Sequence, residues 1–127
     1  MTPITLRDKL AFVSLTVVYR GATLVLNDVL LDTASGGTLL ATDAVAVIGL
    51  QGGSGDTIRT VTGVGGSEAV VEKQVDALVL DGVTVPNFTV ELAGLDYGFV
   101  MDGIIGLDLL RAVRATIDLD ALKLHAK

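Results

Sequence analysis

The sequence has no cysteine and no tryptophan, and it contains only one histidine. The absence of cysteine excludes disulfide frameworks, thiolate zinc sites and thiol nucleophiles. The single histidine, His125, leaves a serine triad or a histidine metal cluster without a suitable base or ligand set. Aromatic residues make up 4% of the chain although 50% of it is hydrophobic, so Val, Leu, Ile and Ala must fill the core. The apolar excess predicts a surface that binds a partner.

Positive charge is also scarce. The chain carries 9 basic and 15 acidic side chains, which gives a formal net charge of -6. Because phosphate binding depends on clustered Lys and Arg, this balance argues against nucleic acid or an anionic membrane as a partner. No unbroken apolar run reaches the roughly 18 residues of a spanning helix. We expect a single domain over residues 1–127, and the lack of an export signal in residues 1–10 favours a cytoplasmic location.

Apolar and polar residues alternate along most of the chain, which is typical of strands with one buried face. The alternation predicts two hairpins and a closing strand: residues 12–19 paired with 23–31, residues 70–80 paired with 83–92, and one strand over 116–125. Asp81-Gly82 is a favourable turn for the second hairpin. Two glycine-rich segments, 49–55 and 62–67, are predicted to be loops or hairpin tips.

Helical segments are few and short. One is predicted over residues 42–48 with Thr42 as its N-cap, and another over 108–113 with the Asp108 carboxylate near the free amides of the first turn. Together these patterns predict an all-β fold with one or two short helices, arranged as a closed or nearly closed barrel. A weak repeat between residues 29–34 and 101–106 suggests two related half-barrels.

Asp32 is the residue whose position most needs an explanation. It ends the apolar run 29–31 and is followed by five small residues, 33–37, which together with Asp32 we call the acid loop. A carboxylate at the end of a buried strand is costly unless it is paired or hydrogen-bonded. The residues alone favour an ordinary turn aspartate that accepts backbone amides, and a catalytic acid is the alternative.

The wider context favours the catalytic interpretation. Asp32-Thr33-Ala34-Ser35, the glycine-rich segment 62–66 and the later Gly103-Ile104-Ile105-Gly106 together resemble the retropepsin-like aspartic proteases of bacteria. The likeness extends over nearly the whole chain. It implies a retropepsin-like acid protease barrel that needs no cofactor and no metal. It further implies a homodimer in which each chain supplies one catalytic aspartate and which cleaves a peptide or an unfolded protein.

The resemblance also implies a role for each motif residue. Asp32 would be the catalytic residue, and Thr33 would brace the two acid loops through its hydroxyl. Other residues would support the active site: Ala34, Ser35, Ile104, Ile105 and Gly106. A mobile flap over the substrate would carry Thr62, Gly63, Val64, Gly65 and Gly66.

Alternatives remain at the sequence level. The family usually has glycine where this chain has Ala34, so a second hypothesis is a catalytically weak or inactive dimer that binds a peptide or protein. A third is a monomeric β-barrel with a structural role. Asp102 is a candidate partner for Asp32 within one chain, but the following Gly103 makes a turn aspartate the favoured interpretation.

Overall fold

A computed structural model describes residues 1–53, 55–63 and 66–127. Eleven strands are found in these ranges: β1 (Thr2–Pro3), β2 (Thr5–Arg7), β3 (Leu10–Tyr19), β4 (Ala22–Leu31), β5 (Leu39–Ala41), β6 (Ile58–Gly63), β7 (Gly66–Leu80), β8 (Val83–Ala93), β9 (Gly103–Ile105), β10 (Thr116–Asp118) and β11 (Lys123–His125). The helices are α1 (Thr42–Val45), a 3-10 turn (Ala46–Ile48) and α2 (Leu107–Ala112). None of these described helices has the length and apolar character needed to cross a membrane.

The main sheet closes on itself. Its strand order is β2-β3-β4-β9-β5-β8-β7-β6, and β3 also pairs with β7. The extra pairing joins β3, β4, β9, β5, β8 and β7 into a ring, with β2 and β6 outside it. A smaller sheet has the order β1-β11-β10. The expected all-β, closed barrel with short helices is therefore confirmed.

Two long hairpins supply most of the barrel wall. β3 pairs antiparallel with β4, and β7 pairs antiparallel with β8. Their turns place Arg20 and Gly21, and Asp81 and Gly82, at positive φ angles between 49° and 80°. Two successive residues at positive φ match the right-handed twist of the flanking strands, which explains the turn at Asp81-Gly82.

Aliphatic side chains fill the interior. Leu15, Val17 and Leu78 are completely buried, and Phe12 and Tyr19 are the aromatic residues among the buried side chains of the described part of the chain. A small barrel of this kind needs few rings because branched aliphatic residues fit the pleated inner face.

Two local predictions were wrong. Residues 116–125 do not form one strand, because β10 and β11 are an antiparallel pair. The Asp118 carboxylate accepts the N–H groups of Asp120 and Ala121, at 3.0 and 2.9 Å, and this reverses the chain. Thr42 is not an N-cap, because α1 begins at Thr42 and Ala41 occupies the cap position without a side-chain hydrogen bond.

Candidate active site

The acid loop begins where two parallel strands end side by side. β4 pairs in parallel with β9, and Leu31 lies opposite Ile105. The next residue, Asp32, donates its N–H to the carbonyl of Ile105 at 3.0 Å. The two segments of the weak sequence repeat are therefore neighbours in the barrel, and β9 fixes the point at which Asp32 leaves the sheet.

The Asp32 carboxylate is held by its own loop. Oδ1 accepts the N–H of Ala34 at 2.9 Å, and the Asp32 carbonyl accepts the N–H of Ser35 at 3.1 Å. The residue is half-buried, whereas Thr33 and Ala34 are exposed. The burial expected for this acid is thus partial, and the small residues after it allow the backbone to fold back and supply the hydrogen bond.

A buried network lies at the far end of the acid loop. The Thr38 hydroxyl donates to Oδ1 of Asp108 at 2.7 Å and accepts the Gly106 N–H at 3.2 Å. Oδ2 of Asp108 accepts the Thr38 N–H at 3.2 Å, and Oδ1 also accepts the Leu109 N–H at 2.7 Å. These bonds tie the start of α2 to the end of the loop that carries Asp32.

Gly106 touches the acid loop so closely that no side chain fits. A Cβ atom at position 106 would lie 2.2 Å from the Gly37 carbonyl oxygen and 2.9 Å from that of Ser35. The neighbouring Leu107 N–H donates to the Ser35 carbonyl at 2.7 Å, and the Ser35 hydroxyl donates to the Gly37 carbonyl at 2.8 Å. Direct backbone packing therefore holds the loop against residues 106 and 107.

The two isoleucines of the second motif are core residues. Ile105 is completely buried in the main core, and Ile104 is 9% exposed in a second cluster that includes Met101 and Leu95. As consecutive residues of β9, their side chains point to opposite faces of the sheet and pack in these two different clusters, whereas the Ile105 backbone contacts Asp32.

Thr33 lies on an exposed, partly apolar surface. It lines a cavity of about 400 Å³ with Leu107, Leu110, Arg111, Arg114, Ala115 and Ile117. Leu107 is 43% exposed even though it begins α2 beside the acid loop. Thr33 therefore belongs to this exposed surface next to the acid-loop aspartate.

Three of the flap residues named from the sequence lie on strands: Thr62 and Gly63 on β6, and Gly66 on β7. These strands pair antiparallel as far as Thr62 opposite Ser67 and Gly63 opposite Gly66. Val64 and Gly65 lie outside the described residues. The role of the hairpin as a flap stays a prediction.

A larger cavity, of about 610 Å³, opens beside the acid loop. On one side it is lined by Ala34, Ser35, Gly36, Gly37 and Leu39, with Asp108 nearby. On the other side it is lined by Arg59 of β6, Glu72 of β7, and Thr89 and Glu91 of β8. The sequence did not reveal this second group, because charged residues that alternate with apolar ones along a strand are typical of a solvated face.

Arg59 lies between two carboxylates in that group. Its Nε lies 3.0 Å from Glu72, and its Nη2 lies 3.2 Å from Glu91 Oε1. Glu72 and Glu91 are directly opposite each other on β7 and β8. Like charges in that arrangement are destabilising, and Arg59 compensates part of the repulsion.

Asp102 does not contact Asp32 through any hydrogen bond found in the described ranges. Its Oδ2 accepts the Asp28 N–H at 3.2 Å, and its backbone bonds to Asp28 and Ala41. No group of three or more metal-ligating side chains occurs in the part of the chain that the structure describes.

The closed barrel and the Asp-Thr-Ala loop held against the Ile-Ile-Gly segment define a retropepsin-like aspartic protease fold. A family model described as aspartyl protease matches residues 15–109, about three quarters of the chain, and the protein belongs to this family. The match includes the acid loop, β6 to β9 and the start of α2. No curated protein matches the chain.

Proposed function

We propose that the protein is a homodimeric aspartic endopeptidase whose active site contains Asp32 from each of two chains. Residues 1–127 act as one domain that forms half of the working enzyme. Family membership supports aspartic protease chemistry. The observation that carries the assignment to Asp32 is its position: it leaves the barrel beside Ile105, accepts the Ala34 N–H, and begins the acid loop, whose residues 34–37 line the larger cavity.

The chemistry follows from placing two carboxylates close together. Two such groups at about 3 Å do not both ionise easily, so the pair shares one proton. The ionised Asp32 removes a proton from a water, whose oxygen attacks the carbonyl carbon of the peptide. The protonated Asp32 of the other chain gives its proton to the carbonyl oxygen. The Asp32 that took the water proton then passes it to the peptide nitrogen, while the other Asp32 takes a proton from a diol hydroxyl. The C–N bond breaks, which releases a carboxylic acid and an amine and leaves the pair again with one shared proton.

The exposed surface at Thr33 supports dimerisation. Thr33 follows the catalytic candidate directly and lies beside Leu107, whose side chain is 43% exposed. An exposed apolar surface beside an incomplete site is suited to a second copy of the same chain, since a two-fold axis brings identical loops together. Thr33 would then brace the paired loops through its hydroxyl.

The substrate is proposed to be an extended peptide or an unfolded protein segment. The cavity of about 610 Å³ runs along the acid loop and is bordered by strands of the β6–β7 hairpin and β8. The hairpin would close over the peptide as a flap, with Thr62, Gly63, Val64, Gly65 and Gly66 at or near its tip. Glycine in that segment would permit opening and close backbone contact.

The experiment is proteolysis of an unfolded protein by the parent and by Asp32→Asn, at several pH values from acid to neutral. We expect the parent to release fragments and the variant to release none at any of these pH values. The amide is nearly isosteric with the carboxylate and keeps an acceptor for the Ala34 N–H, so the loop should keep its shape. Equal cleavage by the two proteins would overturn the assignment.

A second candidate function is peptide binding without catalysis. The observation that favours it is Ala34, which stands where the family usually has glycine and lines the cavity. An inactive parent that binds peptides, and that gains cleavage on Ala34→Gly, would support this second function. Cleavage by the parent itself would exclude it.

A further inference from the structure

Glu91 places a nearly buried carboxylate at the wall of the larger cavity. The residue is 9% exposed, and its Oε2 atom is buried and accepts no hydrogen bond from the described residues. Only Oε1 is engaged, by Arg59 at 3.2 Å. A buried carboxylate oxygen without a donor is unfavourable, and such a group in a binding cavity indicates a missing partner.

We propose that this part of the cavity is a subsite for a positively charged side chain of the bound peptide, with Glu91 as the specificity-determining residue. The proposal rests on the proposed peptide-binding function of the same cleft. It adds a substrate class to that function: peptides that carry lysine or arginine at the position facing Glu91.

Arg59, Glu72 and Glu91 form a charged cluster at the cavity wall, and its net charge favours a cation. Glu72 and Glu91 contribute two negative charges, and Arg59 contributes one positive charge, which leaves the group one positive charge short of neutrality. The third acid at the cavity, Asp108, has both oxygens occupied by Thr38. An ammonium or guanidinium group in the cavity would complete the charge balance, and rotation of the Glu91 carboxylate would present an oxygen to it.

The cluster does not suit the other small occupants. A metal ion would need several free oxygen ligands, whereas only one oxygen of Glu91 is left and Arg59 lies against the other. An anion would be repelled by the net negative charge. A basic side chain needs only one strong acceptor. Its apolar stem would pack against Leu39 and Thr89, which line the same cavity.

Gly37 makes room for this carboxylate. A Cβ atom at position 37 would lie 2.4 Å from Oε1 of Glu91. The glycine of the acid loop thus allows Glu91 to lie directly against the loop. The proposed subsite and the proposed catalytic loop are therefore in contact, and a basic side chain at Glu91 would lie close to the peptide segment that passes Asp32.

The first test measures binding without cleavage. Short peptides carry either lysine or its uncharged analogue norleucine at each position in turn, and their affinities for the Asp32→Asn protein are measured by calorimetry. We expect one position at which lysine binds about tenfold more tightly than norleucine, which is the usual size of one charge-assisted interaction. Adding Glu91→Gln should abolish this difference, because the amide removes the charge but keeps the shape.

Two further variants separate the subsite from general effects of charge and folding. Asp76→Asn removes one negative charge from β7 at a residue that does not line the cavity, and the lysine preference should persist. Gly37→Ala keeps the Glu91 charge but pushes its carboxylate away, and the preference should fall. Equal affinity for the lysine and norleucine peptides at every position, or no binding of any lysine peptide, would overturn the proposal.

Cleavage by the parent distinguishes failure of the subsite from failure of the proposed activity. If the parent cleaves lysine and norleucine peptides equally well, the protease function stands and the subsite is wrong. If the parent cleaves none of them while Asp32→Asn shows the lysine preference in binding, the subsite stands and the proposed endopeptidase activity is wrong.

Discussion

The Thr38 hydroxyl donates a 2.7 Å hydrogen bond to Asp108, a residue 70 positions later in the sequence. The same hydroxyl accepts the N–H of Gly106, so one buried threonine links the end of the acid loop to both residues. The loop that carries Asp32 is therefore fixed at one end by the Ile105 carbonyl and at the other by this network.

Replacing Thr38 by valine tests the network. The change keeps the shape of the side chain but leaves the buried Gly106 N–H without an acceptor. We expect a loss of about 1 to 3 kcal/mol in the free energy of unfolding, measured by urea denaturation at one protein concentration. The matched control is Thr23→Val on β4, an exposed position where a change within about 0.5 kcal/mol is expected. Equal effects at the two positions would contradict the role of Thr38.

Gly106→Ala tests the close packing of the acid loop. The new methyl group would overlap backbone atoms of Gly37 and Ser35, which cannot move without displacing the loop. We expect a loss of about 1 to 3 kcal/mol or more in the free energy of unfolding, together with loss of proteolysis. Gly36→Ala is the control, because a Cβ atom at position 36 meets no other atom within 4 Å. A stable and active Gly106→Ala protein would show that the packing is unimportant.

The termini of the described chain meet at one carboxylate, which makes stability depend on pH. Asp81 accepts the Ala126 N–H at 2.8 Å, lies 2.9 Å from the Met1 amino group, and accepts the Thr2 hydroxyl at 2.8 Å. The Ala126 N–H, followed by the other two donors, lowers the pKa of Asp81 to about 2 from its ordinary value of 3.8. A lowered pKa in the folded state stabilises the protein above the ordinary pKa, and this stabilisation is lost as the pH falls towards 2.

Asp81→Asn should therefore lower the urea midpoint at neutral pH. The difference from the parent should shrink as the pH falls from about 4 to about 2, because the parent then loses its own carboxylate charge. Asn is tolerated at the positive φ of this turn, so the turn itself should persist. Asp120→Asn, at an exposed carboxylate, is the control. A difference that stays constant over this pH range would contradict the assignment.

The proposed dimer surface is tested by Leu107→Asp. A charge on this exposed residue beside Thr33 should weaken association, because a buried unpaired carboxylate at an interface is costly. We expect sedimentation to show a dimer for the parent and a monomer for the variant at micromolar concentration, with activity lost in parallel. Val25→Asp, an exposed site outside the cavity at Thr33, should leave the dimer intact. A monomeric parent would contradict the proposal.

Local sequence patterns predicted the hairpins because residues close together in the sequence specify a hairpin. Alternating apolar residues and a turn at Asp81-Gly82 are sufficient to specify β7 and β8. The same rule failed at 116–125, since Ile117 and Leu119 continue the alternation into a turn that the Asp118 side chain stabilises. A period of two does not reveal a carboxylate that binds backbone amides.

The site was only partly visible in the sequence. Asp32 became a candidate because small residues follow a buried strand and because the motif resembles the retropepsin-like proteases, but Thr38 and Asp108 meet only through the pairing of distant segments. Glu91 reaches the acid loop because β8 pairs with β5, where Leu39 lies opposite Glu91. Such contacts depend on the register between distant strands, and this register cannot be read from a single sequence.

The most direct test of the central claim is to mix parent and Asp32→Asn subunits and measure peptidase activity as the variant fraction rises at constant total protein. If the active site needs Asp32 from both chains and the chains pair at random, equal parts of the two proteins should retain about one quarter of the activity of the same amount of parent. A remaining activity of about one half would mean that each chain works alone. Undiminished activity in pure Asp32→Asn would mean that Asp32 is not the catalytic residue.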